Sequence, residues 1–179
     1  MSNQEVAQQL APIVRRVLQD YLLPLDGFHG VSHWARVLEN GLRLAEETGA
    51  NARVVSLFAV LHDSQRENEG HDPQHGPRAA EFAAQLHGQL FELPAAEFAL
   101  LYRACYDHTH ALTHPEITVQ TCFDADRLDL GRVNITPHVS RLCTDVAKRP
   151  AVLKWADDRA GSRTVPEFVQ QSWGLEVDC

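Results

Sequence analysis

The chain has 179 residues, 44% of them hydrophobic and 22% charged, which is enough for a sizeable core in one globular domain. A formal net charge of -8 and a pI near 5.6 argue against a surface for duplex nucleic acid, but allow a small anionic substrate met by locally concentrated cations. The opening MSNQEVAQQLAP has no basic start followed by an apolar run, and no apolar run approaches the roughly 20 residues of a bilayer span. The expectation is a soluble, cytoplasmic protein with no membrane contact.

Helical periodicity runs through almost the whole chain. Val6, Leu10, Ile13, Val14, Val17, Leu18, Tyr21 and Leu22 form one apolar stripe, ended by Pro24. After the loop PLDGFHG, Ser32 is the expected cap of a second helix carrying Trp34, Val37, Leu38 and Leu42 and closing at Gly49. Asn51 can cap a third, whose residues 54 to 61 are apolar on every side, as in a central buried helix. Its last turn holds His62 and Asp63. ENEGHDPQHG reads as a loop, Pro77 opens a short helix ended by Gly88, and Pro94 starts another that leads to His108. Thr113 and Glu116 read as a capping box for a helix through Ile117 and Phe123 to Gly131. Further helices are expected around 137–148 and 151–160, with an unassigned tail. Cys105, Cys122, Cys143 and Cys179 form no C-x-x-C pair and read as reduced, partly core thiols. No alternating strand pattern persists, so the expected fold is all-α. One domain spans 1–179, with a motif-bearing core at about 29–132 and C-terminal helices and tail at 133–179.

Ten histidines are present, nine of them between His29 and His114, and this clustering directs attention to that region. His33, the His62-Asp63 pair and Asp126 in FDADRLDLG lie on three expected helices. Two imidazoles and two carboxylates suit a divalent cation of intermediate hardness, such as Mn, Fe, Co or Ni. Adjacent helical residues diverge by about 100°, so His62 and Asp63 can share an ion only at the shoulder of a helix end. Asp124, about 200° from Asp126 around the same helix, reads as solvated.

This ordered set, with LHD closing an apolar helix and the last acid in ADRLD, resembles the HD-domain superfamily of metal-dependent phosphohydrolases over roughly residues 29–132. The resemblance implies His33, His62, Asp63 and Asp126 as the primary metal ligands. QHGPRAAEF at 74–82 looks like the H-G-x-x-A-A segment of HD proteins that hold two metals, and YDHTH at 106–110 looks like their next histidine segment. By that likeness His75 and His108 complete a dinuclear site bridged by Asp63. Eleven residues separate Asp63 from His75, a short loop for that arrangement. This leaves His75 either as a ligand or as a substrate-facing residue beside a single ion.

The implied activity is hydrolysis of a phosphate ester or anhydride of a small molecule, with a nucleotide as the expected substrate, by water activated on one or two divalent ions (Mn, Fe, Co or Ni, with Mg admitted). Asp63 and Arg66 carry the catalytic expectation. Arg66 would share the helical face of His62 if the helix continued, where it could neutralise phosphoryl charge. His110 is the expected substrate contact at the mouth. The second HD dipeptide, His71-Asp72, lies in a loop and carries no weight, and His29, His87 and His138 read as structural or exposed. The same ligand set also admits a mixed-valence di-iron oxygenase that cleaves C–P or C–C bonds, or a helical module with an inert metal. Oligomeric state is not readable from the chain.

Overall fold

Local chemistry sets where the helices begin and end in a computed structural model that describes residues 1–177. Helix α1 (Asn3–Asp20) opens on a capping box: Ser2 accepts the Glu5 N–H while Glu5 accepts the Ser2 N–H. Helix α2 (Val31–Thr48) closes on Gly49 in the left-handed region at φ 74°, and Asn51 accepts the N–H groups of Arg53 and Val54 to open α3 (Ala52–Leu61). Helices α4 (His75–Leu86), α5 (Ala95–Asp107), α6 (Ile117–Arg127), α7 (Pro150–Gly161) and α8 (Phe168–Trp173) complete the order. There is no strand among the described residues, and the fold is all-α.

Helix α3 is the axis. It packs against α1, α2, α4, α5 and α6, which is why Val54 to Leu61 are buried on all sides. A second, smaller cluster of Leu44, Leu128, Val152 and Ala156 joins α7 to α2 and to the end of α6. The tail is a short helix laid on α1, where the Trp173 indole donates to the Ala7 carbonyl at 3.0 Å. Cys105 and Cys122 are buried thiols whose pKa is pushed up by burial. Cys143 is half-buried, and Cys179 lies outside the described residues. No helix among the described residues is long and apolar enough to cross a membrane.

Three local expectations give way to tertiary contacts. Gly30 rather than Ser32 precedes α2, and Ser32 lies within the helix. Thr113 and Glu116 make no capping box: α6 begins at Ile117, and the Glu116 N–H donates to the His114 ring. Residues 137–148 form no α-helix, only a 3-10 turn at Val139–Arg141. Asp124 explains the last case and is itself a correction, being fully buried rather than solvated. Its carboxylate accepts the N–H groups of Cys143 and Thr144, each at 2.7 Å, and the Thr144 hydroxyl at 2.8 Å, which ties the middle of that segment to α6 in place of a helix.

Candidate metal centre

Helix ends deliver the site. His33 comes from the first turn of α2, His62 and Asp63 from the end of α3, His75 from the start of α4, His108 from the end of α5 and Asp126 from the last turn of α6. All are buried except Asp126, whose side chain is 20% exposed. Glycine is required beside His75. A Cβ on Gly76 would lie 2.7 Å from the Cys105 carbonyl, so only glycine lets α4 meet α5 closely enough to bring His75 to His108.

Hydrogen bonding assigns the tautomers. Nδ1 of His33 lies 2.7 Å from Asp129 Oδ2, that of His62 3.1 Å from the Phe58 carbonyl, that of His75 2.5 Å from the Asp72 carbonyl and that of His108 2.7 Å from the Cys105 carbonyl. These partners only accept, because burial is outweighed at Asp129 by His33 and Arg36, which hold its carboxyl below the usual range and ionised. Each Nδ1 therefore donates a proton to its partner, and in the neutral ring Nε2 presents a lone pair.

The lone pairs face one another. Nε2 of His33 and His62 are 3.1 Å apart, and those of His75 and His108 are 2.9 Å apart. Asp63 stands between the pairs, with Oδ2 at 3.5 and 3.7 Å from the first and Oδ1 at 3.2 and 3.8 Å from the second. Asp126 Oδ1 joins the first pair at 3.4 and 3.7 Å. Burial drives the His62 pKa down to about 3 against the pull of Asp63 and Asp126, so that ring stays neutral. Burial also opposes ionisation of Asp63, but positive charge and N–H donation from the imidazoles around it, whenever one of them carries a second proton, more than offset this and hold its carboxyl well below the usual carboxylate range. Nitrogen lone pairs and carboxylate oxygens converging in a dry site repel unless a proton or a cation lies among them, and among the described residues two groups can hold a cation: His33, His62 and Asp63, and Asp63, His75 and His108.

No protein-family model matches the chain, and no curated protein matches it. The crystal structure of a predicted HD superfamily hydrolase from an uncultured Thermotogales bacterium does match. It is 29% identical, the match covers 90% of this chain and 88% of that one, and the TM-score is 0.60. The chain has the HD-domain fold.

Several residues of this candidate centre escaped sequence reasoning. Asp129 orients His33 and is held in turn by Arg36, with Nε on Oδ1 at 2.6 Å and Nη2 on Oδ2 at 3.0 Å. The available signal was spacing, since Asp129 lies three residues beyond Asp126 and Arg36 three beyond His33. Asp72, of the discounted second HD dipeptide, closes the short loop before His75. Its carboxylate accepts the Glu67 N–H at 2.9 Å and Arg78 at 2.6 Å, and this fold-back is how eleven residues suffice. Of the two readings given to His29, structural or exposed, exposure does not hold: it is buried, lines the cavity over the site and has Nδ1 2.5 Å from Glu69.

Arg66 reaches the site by another route than expected. Helix α3 stops at Leu61, so Arg66 extends from the following turn and is buried, with Nη1 3.6 Å from Asp63 Oδ1 and 3.3 Å from the His75 ring nitrogens. Its Nε and Nη2 donate to the carbonyls of Asn68 and Gly70. His110 is exposed at the mouth, its Nε2 donating to the Pro73 carbonyl at 3.0 Å. The cavity above Asp63 and Asp126 measures about 270 Å³, near the lower edge of small-molecule pockets at roughly 300–1,000 Å³.

Proposed function

We propose that this chain is a metal-dependent phosphohydrolase of the HD type, acting on a phosphate ester or anhydride of a small molecule no larger than a nucleotide. The observation that carries the reading is the pairing of four Nδ1-protonated imidazoles whose Nε2 lone pairs flank one shared carboxylate, Asp63. His33, His62, Asp63 and Asp126 would hold one divalent ion, and Asp63, His75 and His108 a second. Such ions, when bound, supply Lewis-acid polarisation and bring the pKa of water near neutrality.

The chain's own residues supply the rest. Burial of the helix ends keeps bulk water from the donors, and the locked tautomers keep the lone pairs aimed without reorganisation. Arg66, beside Asp63 and His75, stabilises negative charge that grows on the phosphoryl oxygens. Hydrolysis forms a bond from water oxygen to phosphorus, breaks the bond to the leaving group and leaves the proton on the departing oxygen. No redox partner is needed. The description of the Thermotogales protein as a hydrolase supports this choice over oxygen activation.

Turnover of p-nitrophenyl phosphate with added Mn, Co, Ni or Mg, compared in air and under nitrogen, is the test. The expected result is metal-dependent release of p-nitrophenol at equal rates in both atmospheres. Turnover that requires iron and oxygen would overturn the hydrolase and favour the oxygenase chemistry.

A further inference from the structure

The 3-10 turn Leu130–Val133, just beyond α6, places one more arginine at the cavity. Gly131 presses the turn against α7, where a Cβ would sit 2.7 Å from Asp157 Oδ1 and 3.0 Å from the Ala160 Cβ. Arg132 follows directly and is 8% exposed. Its Nε donates to the Phe28 carbonyl at 2.7 Å and its Nη1 to the Asp129 carbonyl at 3.0 Å, which fixes the guanidinium plane. Nη2 makes no hydrogen bond among the described residues, and Arg132 lines the same cavity as Asp63, Asp126 and Arg66. The nearest carboxylate, Asp129, is 3.9 Å from Nη1 and already matched bidentately by Arg36. Arg132 is thus a largely buried, rigidly held cation whose ion-pair contact is long and shared with Arg36, and whose Nη2 is left to meet whatever enters the cavity.

We propose that Arg132 binds a non-bridging oxygen of the substrate's phosphoryl group, and that it makes the site prefer phosphomonoester dianions to phosphodiesters. The proposal rests on the phosphohydrolase reading. A monoester offers three non-bridging oxygens and nearly two charges, and a diester offers two oxygens and one charge. Arg66, with Nε and Nη2 held by carbonyls, has only Nη1 left to meet one phosphoryl oxygen, so the third oxygen and second charge of a monoester call for a further cation on the wall. Arg132 supplies a fixed N–H there, and Arg141 adds a further positive charge at the exposed rim.

The test compares p-nitrophenyl phosphate with bis(p-nitrophenyl) phosphate on the metal-loaded protein, together with inhibition by inorganic phosphate. Arg132→Ala should lower kcat/KM for the monoester by about 10- to 100-fold and for the diester by about threefold or less. Phosphate inhibition should weaken in parallel while metal content stays at the wild-type value. Arg132→Lys should recover part of the phosphate affinity. If Arg132→Ala does not fold, Arg132→Gln, which keeps a donor for Phe28 and removes the charge, decides on the same ratio. An unchanged monoester-to-diester ratio in a folded variant overturns the role of Arg132 alone. A wild-type protein that neither hydrolyses these esters nor binds phosphate with any of the metals overturns the phosphohydrolase reading beneath it.

Discussion

The His33–His62 half of the candidate centre sits inside helix packing and the His75–His108 half hangs on a folded loop and two helix ends, and the two halves treat their lone pairs differently. In the first half both rings are fully buried, and His33 leans on an ionised carboxylate that Arg36 holds from the other side. No N–H or O–H among the described residues reaches either Nε2 there. In the second half both rings lean on neutral carbonyls, and the Thr109 hydroxyl lies 3.2 Å from His75 Nε2 and 3.4 Å from His108 Nε2. The Thr109 hydroxyl, and Arg66 Nη1 at 3.3 Å from His75 Nε2, can therefore relieve the second pair without a cation in that half, and nothing comparable relieves the first. A histidine backed by a carboxylate is also the more basic donor. The first half should hold its ion tightly, and the second should exchange.

Removing what the halves share gives the largest effect. Asp63→Ala should take bound metal from about two ions per chain to nearly none while helical circular dichroism persists. His108→Ala should remove about one ion and leave the other. Chelator titration of the wild-type protein followed by elemental analysis should then show two phases, the weaker ion leaving first. A single phase, or an Asp63→Ala protein that stays loaded, would break the comparison.

The support behind His33 is worth less than a ligand but should still be measurable. Asp129→Asn keeps the shape, yet its amide can offer N–H to Nδ1 and push the ring proton to Nε2, where the lone pair was. Metal affinity of the tighter site should fall by about 10- to 100-fold. The ¹⁵N shifts of the His33 ring should report the tautomer change in the metal-free protein, a signature that loosened packing would not produce. Normal shifts and normal affinity in Asp129→Asn would reduce Asp129 to a partner for Arg36.

How much of this was readable from the chain follows the range of the forces involved. The pair His62-Asp63 stands out because an apolar helix ends on two polar groups that have no packing use, and Asp126 stands out as the last acid of the ordered set, in ADRLD. Asp129 and Asp72 do not, because a carboxylate that backs a histidine has the same local pattern as a surface acid. Asp124 was misread for a related reason. Its partners, the amides of Cys143 and Thr144, lie about twenty residues away, and no helical wheel shows them. Arg66 was placed near the site by a helical continuation that does not exist. Arg132 carried no periodic signal at all, since its meaning depends on carbonyls of Phe28 and Asp129 brought together only by the fold.

Thr109 offers the finest test, with the smallest expected effect and an unusual sign. If its hydroxyl donates to the lone pairs of His75 and His108 in the metal-free state, a cation entering that half must first displace this hydrogen bond. Thr109→Val removes this donor with little change of shape and leaves Arg66 Nη1 in place, so the metal-free state loses the hydroxyl's share of its relief while the loaded state loses nothing. A net hydrogen bond is worth about 0.5–1.5 kcal/mol, so the weaker ion should bind roughly 2- to 10-fold more tightly in Thr109→Val. The tighter ion should be unaffected, because no atom of Thr109 approaches His33 or His62 within hydrogen-bond distance. Weaker binding of the second ion would instead make the hydroxyl a contributor to the loaded site, and unchanged binding would remove Thr109 from the difference between the halves. In either case the exchangeable character of the second half would have to come from its loop and its exposure to the cavity alone.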